Sequence, residues 1–330
     1  MNGRVSLARK NLFQDRRRAL LAVVGVGVAL LLVLLLDGIF AGAMRQVTAY
    51  MKESPADVFV SQQGVRTMHM STSALPTETL EAARKVDGVA WVEGLRYTTS
   101  VVEVGEERRL TYVLGYNTAT GRGGPRRIAI GRAPGPGQIL VDKIAADELG
   151  VGIGDAVTVL GRPFQVSGLS RNGTNIINTT VFIGSDDFAR LRGPTVAYVI
   201  VGARVGISPE KLARHLRSAL PRTTVQTRAE FVSQEGRIIQ DMAADIMKIM
   251  SAIGFLIALA VVALTLFGST LGKLREYGVV KALGAGPGRL AATVAVQAVW
   301  SIALGLAVAI VLALVVGTAI SSLATNVLVV

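Results

Sequence analysis

The chain has 330 residues, of which 51% are hydrophobic and 18% charged, and its formal net charge is +12. A water-soluble domain carries about 25% charge. Here the apolar excess is gathered into uncharged runs at 19–36, 249–271 and 290–320, each meeting the roughly 18 residues a helix needs to cross a bilayer, which excludes a simple soluble enzyme, a disordered chain and a β-barrel porin.

Residues 1–18 are the cytoplasmic N-terminal segment. Arg4, Arg9, Lys10, Arg16, Arg17 and Arg18 precede the first apolar run, and Val5, Leu7, Leu12 and Phe13 give the same stretch an apolar side. It reads equally as an amphipathic helix at an anionic surface and as the charged flank of a span. The first span is 19–43. Ala41-Gly42-Ala43 imitates a small-residue cleavage site, but the apolar run is longer than the roughly 7–15 residues of a secretory signal core, so the segment is expected to stay. Asp37 is placed at the outer interface. Ile39, Ala43, Val47 and Met51 recur at helical spacing and carry the helix beyond the bilayer.

Residues 44–245 form the extracytoplasmic domain. Positive charge before the first span, and Lys273, Arg275, Lys281 and Arg289 after the second, both point to the cytoplasm, so the region between them lies outside. The first lobe is expected to be split in sequence. It comprises a strand at Asp57–Val60, a short helix opening at Thr77-Glu78, and strands around Val89–Val92, Thr98–Val104 and Leu110–Tyr116. A strand at Val196–Val201 and a helix capped by Ser208-Pro209 repeat the opening pattern. Residues 117–190 are mostly β, with a hairpin over Asp155–Gly168 that offers Val157, Val159, Phe164 and Val166 to a core. The domain closes on Thr227-Arg-Ala-Glu230, a capping box. Phe231, Ile238, Met242, Ile246 and Ile249 then form a stripe leading into the second span, 246–272, as the second half of a helical stalk.

Catalytic motifs are wanting. Gly268-Ser-Thr-Leu-Gly272-Lys273-Leu274 is one residue short of a phosphate-binding loop and lacks its hydroxyl. Gly150-Val-Gly152-Ile-Gly154 precedes a strand and reads as a turn. His69 and His215 have no ligand partners nearby in sequence. Glu106-Glu107 and Asp186-Asp187 read as a solvated turn and a helix start. There is no cysteine, hence no disulfide and no thiolate ligand. The positive charge is accounted for by topology, and no nucleic-acid module is present.

The segment 273–289 is the distinctive one. Arg275-Glu276-Tyr277-Gly278-Val-Val-Lys281-Ala282-Leu283-Gly284-Ala285 resembles the R-E-x-G-x-x-K-A-[LIV]-G-A signature of FtsX/MacB-type ABC transporter permeases. Leu7-Ala-Arg9-Lys-Asn11-Leu12 followed by Arg16-Arg17-Arg18 is similar to that family's opening. The stretch from Gly137 through Ala145, Leu149-Gly150, Gly154-Asp155, Val157 and Gly161 to Val166 resembles its MacB-like periplasmic domain. The likeness covers essentially the whole chain, and 273–289 alone is specific by itself.

The resemblance implies an α-helical membrane protein with a large α+β extracytoplasmic domain, made of a split β-α-β lobe and a mostly β lobe, between spans 1 and 2. It implies a multi-pass protein of the bacterial plasma membrane that has no catalytic site, metal or cofactor of its own. ATP and Mg²⁺ would be bound by a separate ABC ATPase subunit. A second permease copy, the same or related, would complete the complex, and an extracytoplasmic protein would be a further partner. The coupling residues it implies are Arg275, Glu276, Gly278, Lys281 and Gly284. Export or extracytoplasmic handling of a substrate, regulation of a cell-wall enzyme without transport, and a membrane-anchored sensor or adhesion role all stay open here. The third span is 290–320. The family has a fourth, and the end at 321–330 shows none, so the sequence reads as a truncated chain or as a three-span variant.

Overall fold

The computed structural model describes residues 16–171, 173, 179–283 and 286–323. The N-terminal segment expected to be amphipathic lies mostly outside them. Among the described residues, 16–42 and 243–323 make one compact unit and 43–242 another.

Three helices are long and apolar enough to cross a membrane, over Val23–Glu53, Ala244–Gly272 and Val294–Ser321, and all but the end of the first lies in the first unit. They belong to α1 (Arg16–Glu53), α6 (Arg228–Gly272) and α8 (Pro287–Leu323). Helix α1 touches both others through small residues. A methyl group added at Gly25 would lie 2.6 Å from Val261 of α6, and one at Gly305 of α8 would lie 2.8 Å from Val26. Glycine at such crossings lets backbones approach, which is how helices associate where lipid removes the hydrophobic drive. Most of α6 and α8 is left exposed and apolar, including Phe255, Leu264, Leu314 and Val315, as lipid-facing surface requires.

The second unit begins with a four-stranded antiparallel sheet. Strands β1 (Val58–Gln62), β2 (Val89–Val104), β9 (Tyr198–Ala203) and β10 (Thr223–Thr227) lie in the order β10-β1-β9-β2. Helix α2 (Glu78–Arg84) links β1 to β2, and α5 (Pro209–Ala219) links β9 to β10. This is the split β-α-β-β-α-β arrangement, and it carries the internal near-repeat seen in the sequence. Ser208 caps α5 by accepting from the Lys211 N–H at 3.3 Å. The two loops of the capping box close at α6: Thr227 N–H donates to Glu230 at 2.8 Å and Glu230 N–H to Thr227 Oγ1 at 3.2 Å.

Both faces of this sheet are buried. Val58, Val60, Val199 and Val201 point to Leu212, Leu216 and Ala83 of α5 and α2. The alternate residues Phe59, Tyr198 and Ile200 point to Met51 of α1 and Phe231 of α6. Phe59 and Phe231 stack with ring centroids 4.8 Å apart. The period-2 alternation therefore selects between two cores, and the ends of α1 and α6 form the second.

The other lobe is a barrel. β2 continues into a hairpin with β3 (Glu107–Tyr116), and β4 (Ile128–Gly131), β5 (Gln138–Asp142), β6 (Ala156–Val159), β7 (Arg162–Ser170) and β8 (Thr179–Gly184) complete it. The pairings β2-β3-β8-β5-β7-β6 return to β2, so the ring closes, and β4 lies outside it on β7. Val102, Val113, Ile139, Val157, Phe164 and Val181 fill the interior. Helices α3 (Lys143–Leu149) and α4 (Ser185–Arg192) pack against this lobe. Closure removes the open edges that a short-stranded sheet would otherwise expose.

Three expectations change. The strands expected at 89–92 and 98–104 are one strand, because β2 exchanges partners without breaking: Leu95 pairs with Tyr198 of β9, and Arg96 with Gly115 of β3. The strand expected at Val196–Val201 starts later, since Val196 is engaged in an isolated bridge with Leu75. The stripe on α6 covers its start and does not continue: Phe231 is buried, whereas Ile246 and Ile249 are exposed.

His69 acquires a partner from far along the chain. Glu235 of α6, 1% exposed, accepts from Met68 N–H at 2.7 Å and His69 N–H at 3.2 Å, and its Oε1 lies 2.6 Å from His69 Nδ1. One carboxylate thus fastens the segment between β1 and α2 to the start of α6. Glu235→Ala should cost about 2–4 kcal/mol, because it leaves buried donors unpaired. Glu81→Ala, whose carboxylate pairs with Arg84 in the open, should change stability by no more than about 0.5 kcal/mol. Urea unfolding of the 43–242 unit within the full chain, followed by Trp91 fluorescence, checks both.

Candidate functional site

Four of the five expected coupling residues lie on one short helix. Helix α7 (Leu274–Ala282) carries Arg275, Glu276, Gly278 and Lys281. Gly284 lies outside the described residues. A single residue separates α7 from α6: Lys273, at φ −114° and ψ 11°, leaves the helical path. The turn is held by Lys273 N–H donating to Thr270 O at 3.1 Å and Tyr277 N–H to Lys273 O at 2.9 Å. Pro287 then opens α8, where a missing N–H costs nothing and the fixed φ suits a first turn. The described part of the connection between two long apolar helices is therefore mainly a nine-residue helical rung.

Arg275, Glu276, Gly278 and Lys281 are all exposed. They do not share one stripe. Arg275, Gly278 and Lys281 follow one another at i, i+3 and i+6 and make a ridge. Glu276 is turned about 100° from Arg275 and falls on the side of Val279 and Leu283. Leu274, Val279 and Leu283 are exposed too, at 57%, 59% and 83%, so the rung presents apolar as well as charged surface. Sequence reading missed these three because nothing in a short mixed segment tells a buried leucine from an exposed one. Tyr277 is half-buried, and burial pushes its phenol pKa up, with the neighbouring Glu276 carboxylate adding to the shift.

Gly278 has a particular geometry. A methyl group placed on it would meet nothing within 4 Å. Glycine inside a helix costs about 1 kcal/mol relative to alanine, and no contact among the described residues requires it. The other positions singled out in the sequence lie away from α7. Gly150 is the left-handed C-cap of α3 at φ 64°, Glu106 sits in the β2–β3 turn, and Asp186 and Asp187 lie in the first turn of α4. Asp37 is exposed on α1. Among the described residues, no group of three His, Asp or Glu side chains is placed to hold a metal ion.

The arrangement defines a class: a polytopic membrane protein whose α+β domain is inserted after the first span, with a short interhelical rung between the second and third. The family model for the MacB-like periplasmic core domain matches residues 19–219. The chain belongs to that family and is an ABC transporter permease of the MacB/FtsX type. It is 25% identical over 289 residues to an uncharacterized ABC transporter permease of Mycobacterium bovis, covering 86% of this chain and 78% of the relative. A second such permease, from Mycobacterium tuberculosis, is 24% identical over 300 residues, covering 90% and 82%. Among solved structures, the periplasmic region of MacB from Actinobacillus actinomycetemcomitans aligns with a TM-score of 0.43 at 12% identity, covering 56% of this chain and 94% of that one. The extracellular domain of the noncanonic ABC-type transporter YknZ from Gram-positive bacteria gives 0.41 at 15% identity, covering 52% and 98%.

The two units offer a direct topological test. The chain contains no cysteine, Val205 is fully exposed in the inserted domain, and Gly286 is exposed beside α7. With an impermeant thiol reagent on intact cells, Val205→Cys should label and Gly286→Cys should not until the membrane is opened. The reverse pattern would invert the orientation.

Proposed function

We propose that this permease transmits the ATP-driven motion of a separate ATPase to its extracytoplasmic domain, for export or handling of a substrate on that side. The observation that carries the reading is α7. It is a short, exposed helix between two apolar spans, with an open glycine at its centre and charges on either side. A partner backbone approaching Gly278 would give that glycine a reason, and Arg275 and Lys281 would flank the contact. ATP and Mg²⁺ would be held by the ATPase, which moves α7 when its subunits close. Two permeases and two ATPases would make the working complex in the bacterial plasma membrane.

Helical continuity supports the mechanical part. α6 runs from Arg228 to Gly272 without a break, so the helix carrying Phe231 and Glu235 at its start has the rung at its end. Motion at α7 would be passed along α6, the helix whose start packs in the inserted domain.

Two measurements test this. The purified permease should hydrolyse no ATP in lipid by itself, and hydrolysis should appear with the ATPase; robust turnover by the permease alone sinks the proposal. Glu276 is the one acid in the 273–289 segment. Glu276→Lys should weaken ATPase binding by about 2 kcal/mol or more, roughly thirtyfold, if the residue meets a partner surface. Glu106→Lys, exposed in the distant β-turn, serves as control and should stay within about 0.5 kcal/mol. Equal binding by both variants and the wild type would remove Glu276 from the contact.

A further inference from the structure

A cleft of about 420 Å³ opens between the two lobes of the inserted domain, within the range of small-ligand sites. One wall is Leu80 of α2 with the middle of β2; the other is Tyr116 at the end of β3, the Pro134-Gly-Pro136 loop and the start of α4. It sits where β2 changes partners, at Leu95 and Arg96. Pockets concentrate at such junctions because two lobes supply two walls.

Most charges around this cleft are already engaged. Glu93 accepts from Asn117 at 3.1 Å and Thr120 at 3.2 Å and pairs with Arg122. Asp187 accepts from Gly137 N–H at 2.9 Å and pairs with Arg190, and Arg84 pairs with Glu81. Two lining charges are left without an ion pair within 4 Å among the described residues. Arg96 donates to Ser185 Oγ and, at 3.1 Å, to Pro194 O; its Nε–H is buried with no partner. Asp186, at the start of α4 on the opposite wall, is exposed. The two act on one another: burial lowers the Arg96 pKa and the Asp186 carboxylate opposes that shift. A guanidinium and a carboxylate, neither in an ion pair within 4 Å among the described residues, thus line one small cavity. Leu80, Tyr116, Pro134 and Pro136 supply apolar surface between and around them.

We infer that this cleft binds a zwitterion of amino-acid or short-peptide type, with its carboxylate on Arg96 and its ammonium on Asp186. A guanidinium takes a carboxylate through parallel N–H···O bonds, and an ammonium beside the carboxylate in the ligand answers Asp186. A simple anion would meet Asp186 as a like charge, which disfavours inorganic phosphate and fatty carboxylates. The cavity volume suits a single amino acid or a dipeptide. Because α2 and β2 form one wall and α4 the other, such a ligand would bridge the lobes. The inference does not rest on coupling to an ATPase, and its test leaves the ATPase out.

The test is calorimetric titration of the full-length permease in lipid nanodiscs, without nucleotide. The probes are the L-amino acids, a set of Ala-X dipeptides and inorganic phosphate. At least one zwitterion should bind saturably and phosphate should not. N-acetylating or C-amidating the best ligand should weaken it at least about tenfold each. Arg96→Gln should abolish the preference for the free carboxylate over the amide. Asp186→Asn should abolish the preference for the free amine over the acetylated form. Arg96 also ties β2 to α4 and Asp186 also suits its own helix N-terminus, so the readout is selectivity between capped and free ligands, which loosened packing would not reverse one end at a time. Asp186, being exposed, provides the variant that keeps its fold. No saturable binding of any zwitterion up to about 10 mM, tighter binding of phosphate, or unchanged selectivity in both variants would overturn the assignment.

Discussion

The structure of the inserted domain depends on burying the second face of its four-stranded sheet. Phe59, Tyr198 and Ile200 leave that sheet on the side away from α2 and α5, and they are covered by Met51 and Phe231. Those two residues belong to α1 and α6, the helices whose remaining lengths are apolar enough to cross a membrane. The domain therefore completes its core with its own entry and exit helices. Fully burying one large apolar side chain contributes roughly 1.5–3 kcal/mol, so separating either helix from the sheet would cost several such terms together.

The polar contacts reinforce the same joint. Glu235 secures the segment around Met68 and His69 to α6, and Tyr198 O–H donates to Thr67 O at 3.0 Å. Arg228, at the first position of α6, donates to Ser54 O at 2.7 Å, just past the end of α1. Inside the domain, Gly236 of α6 and Met44 of α1 lie close enough that a methyl group on the glycine would meet the methionine at 3.2 Å. Buried and nearly buried polar groups of this kind are costly unless paired, and here each named group has its partner.

The barrel lobe is organised differently. It hangs from the first lobe by the long strand β2 and by the β8–β9 connection that contains α4. Its interior is built around Val102, Val113, Ile139, Val157 and Val181, while Leu114, Leu140 and Phe182 on its other side pack in the same cluster as Met51, Phe59 and Phe231. The partner exchange at Leu95 and Arg96 places the lobe junction inside one continuous strand. Arg96 and α4 brace that junction from the cleft side.

The sequence by itself determined the three apolar spans, the inserted α+β domain, the capping box at Thr227 and Glu230, the hairpin at 155–168 and the split first lobe. Each of these is written in local chemistry: uncharged runs, period-2 or helical spacing, and cap residues next to the helices they start. The 273–289 segment was legible as a motif, whereas only its helix puts Arg275, Gly278 and Lys281 on one ridge with Glu276 off it. Tertiary structure alone decided what depends on residues far apart in the chain. β2 reads as two strands locally because Gly94 and Arg96 interrupt its apolar pattern, and only pairing with β9 and then β3 makes it one. Barrel closure needed β6 to meet β2. His69 looked isolated because its partner, Glu235, lies 166 positions later. Arg96 and Asp186 came to face one cleft for the same reason: short-range pattern fixes each element, and long-range packing chooses which elements meet.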